Sequence, residues 1–320
     1  MSLYRNTAFL FKGLREFTKS GYTSASKSFD ASALEVDMSS QAFMITGANS
    51  GIGKAAAVAL AKKGGTVHMV CRNTERGEAA KQEIIDDSGN QNIHLHIVDM
   101  SDPKKVFQFA SEFVESGKPL NVLVNNAGCM VNDREVTADG LEKNFATNTM
   151  GTYLLTTTLI PCLSQQPFKP RVITVSSGGM YTQKLDLTNL QSDNGSFDGT
   201  MVYAHQKRQQ IIMTEQWAKK FPEIHFSVMH PGWADTPAVR TSMPGFYNSM
   251  KNKLRTPEEG ADTIVWLAVA EAAVNQPSGQ FYLDRKPQST HLSLAWTRSK
   301  PEEEEKLMTV VEEMAKKFKM

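Results

Sequence analysis

Cysteine is scarce in this chain of 320 residues: Cys71, Cys129 and Cys162 form an odd set with no CxxC pair. That argues against a disulfide framework or a structural zinc site and suits a reducing compartment. Charge of one sign is missing as well, since 35 Lys and Arg against 34 Asp and Glu leave a formal net charge of +1. No global field draws the chain onto nucleic acid or an acidic membrane. No stretch reaches the roughly 18 apolar residues of a helical membrane span; the densest late run, Ile264 to Ala270, ends at Glu271. Internal repeats are absent, and low complexity is confined to Glu302–Glu305. What is present is ordinary globular usage, 40% hydrophobic and 22% charged. The length suffices to bury a core without staples and to form one large α/β domain or two small ones.

From Gln41 the hydrophobic period alternates between strand and helix lengths: QAFMIT, GKAAAVALAKKG, TVHMVC, a polar helix, IHLHIVD, a further helix and LNVLVN. The strands RVITVS (171–176), IHFSVMH (224–230) and QFYL (280–283) follow. Such alternation specifies a parallel sheet covered on both faces, because parallel neighbours need crossover connections. Around 178–200 and 233–258 the rhythm lapses into Gly, Pro, Asn, Asp and Met, as in loops that cover a site. Two segments lie outside the sheet. Over residues 1–29, Arg5, Lys12, Arg15, Lys19 and Lys27 face the single acid Glu16, and Phe9, Leu10, Phe11, Leu14 and Phe17 form a broad apolar set. This start reads equally as a cap on the domain, a membrane-surface helix or a mitochondrial presequence. The tail opens with Pro301 and four Glu, then sets Leu307, Val310, Val311, Met314 and Phe318 on one helical face that is expected to pack on its own domain, with a partner's groove as the alternative.

Thr46-Gly47-Ala48-Asn49-Ser50-Gly51-Ile52-Gly53 follows a predicted strand and opens a helix. Glycines let backbone approach a pyrophosphate, and the helix N-terminus offers unpaired N–H groups. A purely structural turn is the bland alternative. At the end of the second strand, where an acid would accept from a ribose 2′-hydroxyl, the chain has Arg72-Asn73. Arg72 suits a 2′-phosphate, which favours NADP(H) over NAD(H); otherwise it is a solvated residue. Asp99 is placed to accept from an adenine amino group or to cap the helix starting near Pro103. Asn125-Asn126-Ala127-Gly128 closes the fourth strand, with Asn126 facing the cofactor or merely turning the chain. Tyr203 and Lys207 are four apart and share a helix face, so an ammonium is positioned to lower the phenol's pKa toward working range. Ser176-Ser177 ends the preceding strand, where a hydroxyl can bond a substrate carbonyl, and Asn148 lies on an earlier helix that can join a proton route.

TGANSGIG, NNAG, the Asn of FATNTMG, VSS, YAHQK and PGWADT, in this order over about residues 41–285, resemble the short-chain dehydrogenase/reductase family, and its retinol-dehydrogenase-like branch in particular. The resemblance implies an α/β fold: a single Rossmann-type doubly wound parallel sheet with helices on both faces, flanked by N-terminal (1–40) and C-terminal (286–320) helical extensions. It implies that Tyr203 is the general acid/base and Lys207 its pKa-lowering partner and ribose ligand. Ser177 polarises the carbonyl, and Asn148 positions a water that links Lys207 to solvent. Pro231, Gly232 and Thr236 match the stretch that meets the nicotinamide. Gln206 stands where the family usually has Ser, and both it and His205 are expected to face away. Met180, Tyr181, Met243, Phe246, Tyr247 and Met250 either shape a hydrophobic substrate site or make ordinary contacts between the covering loops and the body. The expectation is therefore a cytoplasmic NADP(H)-dependent carbonyl or alcohol oxidoreductase acting on a lipophilic small molecule. It binds no metal or nucleic acid, with peripheral membrane contact through residues 1–29 and a homodimer left open. The alternative is an NADP(H)-binding regulatory or membrane-surface protein with incidental turnover.

Overall fold

The computed structural model describes residues 2–164 and 168–319. Eight strands, β1 (Ala42–Thr46), β2 (Thr66–Cys71), β3 (Ile93–Ile97), β4 (Val122–Asn125), β5 (Arg171–Val175), β6 (His225–Met229), β7 (Gln280–Leu283) and β8 (Lys286–Gln288), form one sheet. Its order is β3-β2-β1-β4-β5-β6-β7-β8. β1 to β7 run parallel, and β8 returns antiparallel to β7 through a turn at Asp284 and Arg285. All five residues of β1 and of β6 are buried, as a strand covered on both faces requires. The order reverses between β1 and β4, and ligands of such sheets bind where it does.

The helices are α1 (Ser2–Lys12), α2 (Lys19–Ser26), α3 (Gly51–Lys62), α4 (Thr74–Ser88), α5 (Pro103–Glu115), α6 (Lys143–Phe145), α7 (Thr152–Ser164), α8 (Gly199–Lys220), α9 (Pro237–Ser242), α10 (Pro244–Met250), α11 (Pro257–Val269), α12 (Glu271–Val274) and α13 (Pro301–Lys316). α3, α4 and α11 cover one sheet face around Leu60, Ile84 and Ile264. α5, α7, α8 and α13 cover the other around Phe113, Leu159 and Trp217. Their starts are written locally: Asp102 accepts from the Lys105 N–H ahead of Pro103, and Thr256 and Glu259 close a capping box ahead of Pro257. Each such cap stabilises by about 1 kcal/mol. Asp102, not Asp99, therefore caps α5; Asp99 instead accepts from Ser101 N at 2.9 Å and Ser101 Oγ at 2.8 Å.

The tail helix packs on its own body as its periodicity implies, burying Leu307, Val311, Ala315 and Phe318, while Tyr153 donates to Glu312. The front segment behaves otherwise. Phe17 is buried and Phe9 packs beside it, but Leu10, Phe11 and Leu14 of the same apolar set face solvent.

Candidate active site

The glycine-rich turn runs from β1 into α3 at the reversal point. Gly47 and Gly51 have φ of +67° and +53°, a region L side chains rarely adopt. Gly53 has no room for a Cβ, which would lie against Asn126 Nδ2 and 2.5 Å from Gly47 O. Ser50 precedes the helix in an extended conformation and offers no side-chain cap, so the first N–H groups of α3 stay uncommitted, the arrangement that holds an anion. Asn126 braces this turn: its Nδ2 donates to Thr46 O at 2.8 Å, and Thr46 Oγ1 accepts from Asn126 N and Ala127 N at 3.0 and 2.9 Å. Arg72 is exposed just beyond β2, ahead of Asn73, which caps α4. No acidic side chain pairs with it among the described residues.

The reacting groups come from β5, α8 and the segment before α7. Asn148 lies in a π-helical stretch, Ala146–Gly151, a local widening that recurs at functional sites. Its Oδ1 accepts from Cys129 N at 2.9 Å, and its Nδ2 donates to Cys129 O and Gln206 Oε1, both at 2.8 Å. Gln206 thus faces inward, contrary to the sequence expectation. It is buried, and its Nε2 donates at 3.2 Å to Glu142, a carboxylate with no exposure that also accepts from Asn144 N and Phe145 N. The cause is helix packing: α8 lies on the π-helical stretch and turns a run of Gln206, Gln209 and Gln210 into it, with Gln209 accepting from Thr149 Oγ1 at 2.6 Å.

Lys207 Nζ donates to Val175 O at 2.8 Å and Gln210 Oε1 at 3.0 Å, and it lies 5.3 Å from the Tyr203 ring centroid. Gln210 Nε2 in turn donates to Asn148 O at 2.7 Å. Gln210 thus bridges Asn148 and Lys207 through its side-chain amide. Gly128 lies between these groups: a Cβ there would sit 3.1 Å from Asn148 Oδ1 and 3.4 Å from Lys207 Nζ. Ser177 caps the short turn Gly178–Thr182 through Gly179 N and hydrogen-bonds the Tyr203 phenol. Ser176 is occupied elsewhere, donating to Lys207 O at 2.9 Å.

The electrostatics differ from the expected lysine-lowered phenol. Burial pushes Tyr203 above its ordinary value, the neighbouring Cys129 adds to this, and the Ser177 hydrogen bond opposes it. Burial also pushes Lys207 down to about 7 from 10.5, with Cys129 opposing. Lys207 is spent on a carbonyl and an amide rather than the phenol, so desolvation decides both groups. At neutral pH the phenol holds its proton.

On the far wall, Gly232 (φ +77°) admits no side chain because Arg255 fills the space. Pro231 O accepts from Arg255 Nη1 at 3.4 Å. Thr236 caps α9 and rests its methyl 3.1 Å from where a Gly51 Cβ would lie, which brings this wall to the glycine-rich turn. The front segment backs it: Phe17 sits 4.4 Å from His230 edge-on, Trp233 N donates to Phe17 O at 2.7 Å, and Gly13 makes room for the Trp233 ring. Nothing in the sequence signals that packing. Met180 and Tyr181 do not shape an open site. Both are buried in the core beneath α1, with Tyr181 Oη donating to Ser289 O at 2.8 Å. Met243, Phe246 and Tyr247 lie partly exposed on α10 and its entry, with Phe246 edge-on to Trp233 at 5.2 Å and Asn132 reaching across to Ser242 O at 3.0 Å.

A family model for short chain dehydrogenases matches residues 41–245. The chain is 61% identical over 319 residues to dehydrogenase/reductase SDR family member 12 of Bos taurus, covering 100% of both. It is 32% identical to retinol dehydrogenase 11 of Mus musculus, covering 78% of this chain and 79% of that one. Among solved structures, an NAD(P)-dependent gluconate 5-dehydrogenase from Beutenbergia cavernae with bound NADP superposes with a TM-score of 0.64 at 20% identity, over 78% of this chain and 96% of that one.

Proposed function

This chain belongs to the short-chain dehydrogenase/reductase family and is an oxidoreductase acting on CH–OH groups; we propose that it is NADP(H)-dependent and reduces the carbonyl of a lipophilic small molecule. The observation that carries the reading is that Tyr203 meets Ser177 and Lys207 while Lys207 and Asn148 meet at Gly128, beside a glycine-rich helix N-terminus. The cofactor fits this chain on local grounds. Gly47, Gly51 and Gly53 keep side chains out of a pyrophosphate cradle that Asn49, Ser50 and Ile52 complete, and Arg72 beyond β2 suits a 2′-phosphate. Asp99 is assigned to the adenine side, and Pro231, Gly232 and Thr236 to the nicotinamide side. The solved gluconate dehydrogenase was obtained with NADP, and retinol dehydrogenases are among the relatives; both support the finer assignment.

When bound, NADPH supplies the hydride. Tyr203, protonated at neutral pH, gives its proton to the carbonyl oxygen as charge develops there, and Ser177 donates to the same oxygen and orients it. Lys207, with Nζ 5.3 Å from the Tyr203 ring centroid, supplies positive charge beside the phenolate that results in the fraction of molecules where it is protonated. The protein's share is orientation and a poised acid. Peripheral membrane contact through residues 1–29 and a homodimer through the helices carrying Asn148 and Tyr203 belong to the same reading, as does the division at about residues 41 and 285. Among the described residues no helix is long and apolar enough to cross a membrane.

The test is a screen of purified protein with NADPH and NADH against matched lipophilic and hydrophilic carbonyls, with Tyr203→Phe as control. Oxidation of NADPH by lipophilic members, abolished by Tyr203→Phe, is expected. Preference for sugars, or unchanged turnover in the Phe variant, defeats the reading.

A further inference from the structure

α1 and the π-helical stretch that continues it, Gly13–Phe17, bury one apolar set around Phe9 and Phe17 and leave a second one facing solvent. The side toward the body carries Arg5, whose Nε donates to Ala295 O at 2.6 Å and Nη2 to Trp296 O at 3.1 Å. It also carries Lys12 and Glu16, paired with one another. The solvent side carries Leu3, 79% exposed, Leu10, 51%, Phe11, 70%, and Leu14, 40%. Phe9, Gly13 and Phe17 already cap the domain, so these four are apolar residues that the cap does not use.

A second segment, distant in sequence, continues this face. Residues 293–298 run as a strap stitched to the first turn of α1 by the Arg5 bonds and by Tyr4 Oη donating to Ser293 O at 2.8 Å. Ala295 and Thr297 are buried, whereas Leu294 is 73% and Trp296 69% exposed. Both outward residues sit at left-handed backbone angles, φ +57° and +53°. That region disfavours bulky side chains, so their projection is held by backbone geometry and by Arg5.

We propose that α1 and the 293–298 strap form one docking surface for an anionic lipid bilayer. Leu3, Leu10, Phe11, Leu14 and Leu294 enter the acyl boundary and Trp296 lies at headgroup level, where its amphipathic ring is favoured. The exposed cations Arg15 and Lys19 follow Leu14 in the chain and Arg298 follows Trp296, while Glu16, the single acid of residues 1–29, is paired with Lys12. A basic rim complements anionic headgroups. It also disfavours a second copy of the chain on this face, because a two-fold contact would set the rims against each other. The opposite side of α1 rests on the turn Gly178–Thr182 that follows Ser177, so a docked bilayer lies about one helix diameter, roughly 10 Å, from that turn. The docking surface deepens the membrane contact of residues 1–29 proposed above and needs no turnover; this last consequence rests also on the reading of Ser177.

The experiment is flotation of the full chain with phosphatidylcholine vesicles, with and without phosphatidylserine, for wild type, Leu10→Ser/Phe11→Ser and Trp296→Ser. The wild type is expected to float with phosphatidylserine vesicles and to be released by salt. Each variant should lose about tenfold or more in recovery at unchanged melting temperature and NADPH binding. Three results overturn the proposal: no recovery with phosphatidylserine vesicles, wild-type recovery of the double variant, or a solution dimer that Phe11→Ser dissociates without any vesicle binding. Flotation is read without turnover, so an inactive protein that floats defeats the catalytic reading and leaves this one standing.

Discussion

Lys207 Nζ donates at 3.0 Å to the side-chain carbonyl of Gln210, one turn further along α8, and both residues are buried. The same amide holds Asn148 O at 2.7 Å. Gln210 therefore fixes the distance between two candidate catalytic groups and supplies Lys207 with a neutral acceptor, which leaves the ammonium little compensated. Replacing it by a carboxylate reverses that. Gln210→Glu is expected to raise the Lys207 pKa by about 1–2 units, moving the alkaline limb of the kcat/KM profile upward. Gln210→Ala should lower kcat about tenfold with little change in KM for NADPH. Identical pH profiles for wild type and Gln210→Glu would remove Gln210 from the control of Lys207.

Lys207 also writes a pH dependence into stability. Its folded value is about 7 against 10.5 when exposed, so between those limits the unfolded chain binds more protons than the folded one. Stability must then rise with pH across that window and level off below about 7. The slope for one such group is at most about 1.4 kcal/mol per pH unit. Above about 9 the buried thiols, with Cys71 pushed up to about 11, pull the other way, so pH 7 to 9 is the informative range. Urea unfolding of the cofactor-free protein should show this rise for wild type and its loss in Lys207→Met. Parallel curves for the two proteins would assign the slope elsewhere.

Arg72 is the residue on which the choice of cofactor turns. It stands exposed beyond β2 with no acidic partner among the described residues, so nothing within the chain competes for it. A charge-assisted bond to a 2′-phosphate is worth about 1.5–3 kcal/mol. Arg72→Ala should accordingly weaken NADPH binding about 10–100-fold and leave NADH nearly unchanged, as read by nicotinamide fluorescence. Equal weakening of both cofactors would show that Arg72 does not read the phosphate.

Seven strands and the glycine-rich turn were legible because each rests on a local signal: an apolar run of strand length, or glycine where φ is positive. β8 was not, since LDRK carries no Asn-Gly signature and its turn puts Asp284 and Arg285 at φ +52° and +59°. Tyr203 and Lys207 were placed on one helix face by spacing alone. Their titration was not, because desolvation depends on what other elements bury. Gln206 and Gln210 gave one usable hint, three glutamines within five residues in mid-helix, but their partners at Asn148 and Glu142 are about 60 residues away. For residues 9–17 composition showed an apolar set, and only the packing of Phe17 against His230 and Trp233 decided which members turn inward.

The turn at Asp284 and Arg285 has a purpose visible in its partners. Asp284 meets Arg255 in a two-pronged, buried ion pair, Oδ1 to Nη1 at 2.6 Å and Oδ2 to Nη2 at 2.9 Å. The same guanidinium donates to the carbonyls of Glu16 at 2.6 Å, Phe17 at 3.1 Å and Thr18 at 3.3 Å. Five donors fixed in one plane thus tie the front segment, the Pro231–Gly232 loop and the sheet edge together. Removing the cation leaves a buried carboxylate unpaired and takes a donor from four backbone oxygens, those of Glu16, Phe17, Thr18 and Pro231. Arg255→Met should cost about 3–5 kcal/mol and speed amide exchange of residues 17–19 ahead of the central strands. Arg255→Met/Asp284→Leu should recover part of the stability, since an apolar pair carries no buried charge, but not the protection of residues 17–19, whose carbonyl partners are still missing. Unchanged exchange there in the single variant would mean that Phe17 and its aromatic neighbours alone hold the front segment down.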